Sequence, residues 1–182
     1  MKKFYTRSGD DGYTGLLGEE RVPKYHPLPD TCGTIDEATA TLGLARSICR
    51  APQTGPLILT VQRDLYHIMA EIAATPENAE KFRVINPARV AWLENQVETI
   101  GASVEFPADF ILPGDSPASA ALAMARTVVR RAERKVAKLL HHGEIQNANL
   151  LRYLNRLSSL CFILELLENQ AAGLASPNLA KD

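Results

Sequence analysis

From Gly33 onward, apolar residues recur at three- and four-residue steps in five successive runs, the period of helices that bury one face. The first run, GTIDEATATLGLARSICR, carries Leu42 and Ala45 and ends at the breaker APQTGP. Its start matches a capping box, with Thr34 as N-cap, Glu37 at N3 and Asp36 in the first turn. The second run places Leu57, Val61, Leu65, Ile68 and Ile72 on one face and is closed by Pro76. The third starts at Asn86-Pro87, a cap followed by a proline at the first helical position, and continues through Val90, Leu93, Val97 and Ile100 to Gly101. The apolar link ASVEFPADFILPG leads to the fourth, which Ser116 and Pro117 open and whose stripe is Leu122, Ala125, Val129, Ala132, Val136 and Leu140. The fifth, NANLLRYLNRLSSLCFILELLENQ, is apolar around much of its circumference, as a helix with several neighbours must be. These runs predict an all-α, five-helix antiparallel bundle over residues 31–170 within a single domain of 182 residues. An irregular arm (1–30) precedes it and a flexible tail (171–182) follows.

On the fourth run, Arg126, Arg130 and Glu133 fall close together at about 100° per residue, along one edge of the apolar stripe. Arg131 and Lys135 point further round, towards solvent. Guanidinium groups beside a core face are costly unless an anion meets them. The same edge could equally belong to a salt-bridged surface helix. Asn155 and Arg156 are polar residues within the densest part of the fifth helix and need partners.

The arm, TRSGDDGYTGLLGEERVPKYHP, is glycine-punctuated, with Gly9, Gly12, Gly15 and Gly18 at three-residue steps and Thr6, Ser8 and Thr14 between them. Glycine lets backbone N–H groups approach a ligand and hydroxyls add donors, so the arm suits a phosphate cradle with Arg7 and Lys24 as charge partners. It suits a plain turn-rich arm as well, since it matches neither GxGxxG nor a Walker A loop. Asp10 and Asp11 call for a cation between them and any phosphate.

Composition narrows the partners. Twenty basic against 21 acidic residues leave a net charge of −1, so no global field recruits nucleic acid. Three cysteines without CxxC spacing give neither a disulfide framework nor a zinc site and read as buried thiols. His67 has no Glu-x-x-His partner and reads as a polar-face residue. Without a signal core or a membrane-length apolar run, the expected setting is the cytoplasm, away from membranes. No nucleophile-base pair and no metal-ligand cluster appears, so the residues alone lead to a bundle with an anion site and to no reaction.

Four blocks in this order, TRSGDDGYTGLLGEERVPK, GTIDEATATLGLAR, FILPGDSPASAALAMARTVVRRAER and YLNRLSS, with a weaker match in VQRDLYHIMAEIA, resemble the PduO-type ATP:cob(I)alamin adenosyltransferases. The resemblance implies a five-helix bundle assembled as a homotrimer with sites between subunits. It implies that cobalamin is bound as four-coordinate cob(II)alamin and reduced to cob(I)alamin, whose cobalt attacks the 5′ carbon of ATP and expels triphosphate. It further implies that Thr6, Arg7, Ser8, Gly9, Asp10, Gly12, Thr14, Gly15 and Lys24 wrap the triphosphate and its Mg2+, and that Arg130 stabilises the leaving group. Glu133, Arg134 and Asn155 would complete the nucleotide site, Arg126 would pair with Asp36 across the subunit interface, and Phe110 would exclude the lower axial ligand. A flavoprotein reductase and an adenosylcobalamin-dependent enzyme are candidate partners. Asp115, Ser159 and Thr39 depart from the family's usual Gly, Asp and Asn. The alternative is a non-catalytic ATP or corrinoid sensor on the same bundle.

Overall fold

The computed structural model describes residues 4–174 and 176–181. Five α-helices follow a short hairpin: β1 (Tyr13–Gly15), β2 (Arg21–Pro23), α1 (Pro27–Ile48), α2 (Thr54–Ile72), α3 (Pro87–Gly101), α4 (Pro117–His141) and α5 (Ala148–Ala171). A single 3-10 turn, Ala79–Phe82, lies between α2 and α3. Helix α4 packs against both α1 and α5, α2 against α1, and α3 against α5, so the lateral order is α2-α1-α4-α5-α3. The all-α bundle expected from the periodicity is the fold observed. The stripe positions Leu122, Ala125, Val129, Ala132 and Val136 are fully buried.

The caps of α3 and α4 are those expected from the sequence, and Asn147 caps α5. Asn86 accepts from the Arg89 amide at 2.9 Å, and Asn147 from the Asn149 amide at 3.0 Å. Ser116 accepts from the Ser119 amide while the Ser119 hydroxyl accepts from the Ser116 amide, a reciprocal pair at 3.2 and 3.0 Å.

Helix α1 does not start where its capping-box pattern suggests. It begins at Pro27, capped by His26, whose Nδ1 accepts from the Leu28 amide. Pro27 and Pro29 fit because first-turn residues have no intrahelical acceptor for an N–H. Thr34 therefore lies inside the helix, and its hydroxyl donates to the Asp30 carbonyl at 3.1 Å instead of capping. Glu37 and Asp36 likewise sit well beyond the first turn.

The arm also differs from a featureless loop. β1 and β2 pair antiparallel, with Thr14 opposite Val22. Leu17 ties the hairpin to the end of α2: its amide donates to the Ala73 carbonyl at 2.7 Å and its carbonyl accepts from the Thr75 amide at 3.3 Å. Gly18 is required there, because a Cβ would lie 2.5 Å from Thr75 Cγ2. The C-terminal segment, expected to be flexible, is paired too. Ile111 bridges Leu179 in antiparallel fashion, with Leu112 N–H donating to the Asn178 carbonyl and Ala180 N–H to the Phe110 carbonyl, both at 2.7 Å.

Buried polar groups lock α2, α3 and α5 together. The Asp64 carboxylate accepts from Arg89 Nε at 2.9 Å and from the Tyr153 hydroxyl, while the Arg89 guanidinium lies 3.8 Å from the Trp92 ring centroid. Burial, and then the nearby carboxylate, push the Tyr153 phenol above its ordinary range, so it stays a donor. Removing one donor costs less than stranding two. Tyr153→Phe is expected to cost about 1–2 kcal/mol and Asp64→Ala about 3–5 kcal/mol, read from urea unfolding at fixed protein concentration.

Candidate active site: an arginine groove and a glycine-rich arm

The residues singled out in the sequence gather into two clusters. The first is the arm. The Thr6 and Ser8 hydroxyls are 2.7 Å apart, and Lys24 folds over Gly9 so closely that a Cβ there would meet Nζ at 2.9 Å. The Gly12 carbonyl accepts from the Lys24 amide at 2.9 Å. Arg7 has φ 63°, a left-handed conformation unusual for a side-chain-bearing residue, and Gly12 has φ 83°. Thr14 and Gly15 lie in β1, and Asp10 is exposed.

Arg21, which stands out in no sequence pattern, holds this loop in shape. Its guanidinium spans Asp11 at 2.9 and 3.0 Å and donates to the Ser8 carbonyl at 2.8 Å. The Arg21 hydrogen bond lowers the Asp11 pKa from its ordinary range. Asp11 is thereby committed to the fold. The signal was present as an acid and a base ten residues apart, and only the hairpin brings them together.

The second cluster is the groove between α4 and α5. Three hollows follow one another along it. The first, about 420 Å³, is walled by Phe106, Phe110, Phe162 and Arg126. The next, about 390 Å³, has Arg126, Arg130, Ser159 and Phe162 on its walls. The last, about 400 Å³, holds Glu133, Arg134, Asn155 and Arg156. No arm residue lines any of the three.

Along the groove the polar groups are ordered from α4 across α5 to α3. Asn155 Nδ2 donates to Glu133 at 2.8 Å, Arg156 Nη1 donates to Asn155 Oδ1 at 2.8 Å, and Arg156 Nε donates to Glu94 at 2.9 Å. The partners that Asn155 and Arg156 need are thus supplied. Arg130 and Arg134 are exposed and form no ion pair among the described residues. Arg126 Nε is buried without a hydrogen-bond partner among the described residues.

Arg131 and Lys135, on the other flank of α4, have partners on α1: Arg131 pairs with Glu37, and Lys135 with Asp30 at 2.7 Å. Glu37 is thus an ion-pair residue, not a helix cap. Asp36 is exposed and does not pair with Arg126 within the chain. Phe110 is 84% exposed, which rules out a core anchor and leaves its ring as a wall of the first hollow. His67 is half-buried. Burial pushes the Cys32 thiol up to about 11, consistent with an unreactive cysteine. Among the described residues, no three His, Cys, Asp or Glu side chains gather as a metal site, and no helix is long and apolar enough to cross a membrane.

Comparison with known proteins decides the family. The family model described as cobalamin adenosyltransferase matches residues 4–168. The chain belongs to the cobalamin adenosyltransferase family. It is 38% identical to the corrinoid adenosyltransferase PduO of Citrobacter freundii over 93% of its own length, and spans about half of that longer relative (50%). It is 36% identical to the corrinoid adenosyltransferase of Bacillus subtilis, of which it covers 89%. Among solved structures, a variant PduO-type ATP:corrinoid adenosyltransferase from Lactobacillus reuteri complexed with cobalamin and ATP superposes with TM-score 0.89 at 27% identity, covering 98% of this chain and 97% of that one. Family membership agrees with the resemblance carried by the four sequence blocks.

One buried acid of α5 should report on pH. Glu165 of α5 is buried, and burial pushes its carboxyl up to about 7, with the Arg126 charge opposing and Asp115 reinforcing the rise. A carboxyl whose folded pKa exceeds its unfolded value of 4.5 stabilises less as pH rises, so the loss develops between pH 4.5 and about 7. Glu165→Gln should remove that slope. Relative to wild type, its unfolding free energy is expected to gain about 1–3 kcal/mol between pH 5 and pH 8, measured by urea titration at fixed concentration.

Proposed function

We propose that this protein transfers the 5′-deoxyadenosyl group of ATP to cob(I)alamin, forming adenosylcobalamin and releasing triphosphate. The observation that carries the reading is the α4–α5 groove: guanidinium groups that form no ion pair among the described residues lie beside an aromatic-walled hollow, in a chain of the cobalamin adenosyltransferase family. Cobalt of the substrate supplies the electron pair for the new Co–C5′ bond. The C5′–O bond breaks, and its electrons leave with the triphosphate. The chain's task is to orient the two substrates, exclude water and meet the charge that develops on the leaving group.

Arg130 is assigned to the leaving triphosphate, with Arg134, Glu133 and Asn155 holding the nucleotide at the end of the groove. Thr6, Arg7, Ser8, Gly9, Asp10, Gly12, Thr14, Gly15 and Lys24 close over the phosphates with backbone N–H groups, hydroxyls and the ammonium. Magnesium would enter bound to phosphate oxygens, the hard ligands it prefers. Phe110 shields the lower face of the corrin. That no arm residue lines the three groove hollows supports a site completed by the arm of a neighbouring copy, with Asp36 of one copy meeting Arg126 of another. A homotrimer has this arrangement three times. A reductase supplying cob(I)alamin and an enzyme consuming the product stand on either side of the reaction.

The test is an anaerobic assay with chemically reduced cob(I)alamin, ATP and magnesium, following the loss of cob(I)alamin absorbance and identifying triphosphate. Binding of ATP without triphosphate release would instead favour a sensor. Arg130→Ala is expected to lower kcat by about 100-fold, the scale seen when a preorganised charge donor is removed. Phe110→Ala should impair adenosylation starting from cob(II)alamin far more than from pre-reduced cob(I)alamin, and equal losses would remove the shielding role.

A further inference from the structure

Phe110 presents a problem of placement. Its ring is 84% exposed, so side-chain packing does not hold it, and its direction depends on the backbone that carries it. That backbone, the link from Glu105 to Ile111, is a thin partition. Phe106, Pro107 and Ala108 face the first groove hollow on one side, and on the other a cavity of about 390 Å³ completed by Leu166 and Asn169 of α5 and by Leu174, Pro177 and Leu179 of the C-terminal segment. Such a partition needs an external brace to keep one shape.

The brace is the C-terminal segment. The Phe110 carbonyl accepts from the Ala180 amide, and the Leu112 amide donates to the Asn178 carbonyl, so Phe110 lies inside a clasp of two backbone hydrogen bonds. The segment is itself fixed by one side chain. The Asp115 carboxylate accepts from the Asn178 backbone amide at 3.1 Å through one oxygen and from the Asn178 side-chain amide through the other. Asp115 immediately precedes Ser116, whose reciprocal cap with Ser119 makes the start of α4 rigid. Hydrogen bonds between Asp115 and Asn178, between Leu112 and Asn178 and between Ala180 and Phe110 thus tie the α4 N-terminus to the backbone on either side of Phe110.

We propose that Asp115 and Asn178 are positioning residues for the corrinoid face of the site, clasping the C-terminal segment to α4 so that Phe110 is held at one depth and angle. The proposal rests on the adenosyltransferase reading. It adds a role for two residues that touch neither substrate. A displacement of about 1 Å at a reacting geometry is enough for large rate losses.

Three variants test it: Asp115→Ala, Asn178→Ala and the reciprocal exchange D115N/N178D. In the exchange, the carboxamide introduced at position 115 would accept from the backbone amide of residue 178 through its oxygen. Its NH2 group would donate to the carboxylate introduced at position 178, so both contacts can reform. Each single variant is expected to slow adenosylation from cob(II)alamin by about tenfold, the worth of one charge-assisted contact. The KM for ATP and the rate with pre-reduced cob(I)alamin should change by less than about twofold, because those depend on the arm and Arg130. Electron paramagnetic resonance of cob(II)alamin bound with ATP should show nitrogen splitting from the lower ligand returning in the single variants and disappearing again in the exchange.

An unchanged ratio of cob(II)alamin to cob(I)alamin rates in folded single variants would overturn the proposal, as would an exchange that restores nothing. Should Asp115→Ala fail to fold, Asn178→Ala retains the carboxylate and decides the question alone. A wild type that bound cob(II)alamin without turnover would overturn the transferase reading, and the resonance comparison would still judge the clasp. A wild type that bound no cob(II)alamin would overturn both.

Discussion

The groove follows from the way α4 is packed. Its stripe of Leu122, Ala125, Val129, Ala132 and Val136 is fully buried, with α1 on one flank and α5 on the other. A helix gripped on two sides leaves its polar residues only narrow rims. The two rims of α4 have opposite fates. Facing α1, Arg131 and Lys135 meet Glu37 and Asp30 and are neutralised. Facing α5, Arg126 and Arg130 look into hollows walled by phenylalanine and serine. One apolar stripe therefore divides the basic residues of a single helix into a structural set and a set with charge to spare.

Much of this was legible in the sequence, because periodicity reports burial directly. The helix count, the starts of α3 and α4 and the gathering of Arg126, Arg130 and Glu133 all follow from 3.6-residue spacing and cap chemistry. The failures share a cause as well. Thr34 and Glu37 satisfy the capping-box spacing, but the chain was already helical from Pro27, and spacing alone does not say whether a helix has begun. Arg21 was invisible because its role exists only across the Asp11 hairpin, and the C-terminal pairing because Asp115 and Asn178 lie far apart along the chain. Local signals reveal local structure. Contacts between distant segments that carry no period of their own do not announce themselves.

The same division explains why the site residues fall into two clusters. Helical side chains on neighbouring turns are forced together, so the groove assembles within one chain. The arm is anchored elsewhere, through Leu17, at the far end of α2. That anchor holds the arm at the C-terminal end of α2, and no arm residue lines the three hollows of the α4–α5 groove. No rearrangement of the bundle is needed if the arm serves a second copy.

The arm's mode of attachment has a consequence for how the molecule breathes. Within residues 6–24 only Leu16 and Val22 are buried, and the tie to the bundle is Leu17's short run of backbone pairing beside Gly18. The helices share one continuous core, which the arm joins only through Leu16 and Val22. Free energies of local opening scale with such burial, so the arm, which adds two residues to that core, is expected to open at a lower cost than the helices. A polyanion gripping the arm would pull it up towards the stability of the whole. Slowed amide exchange confined to the arm would then be the native-state signature of an occupied site, visible before any bond in the nucleotide is broken.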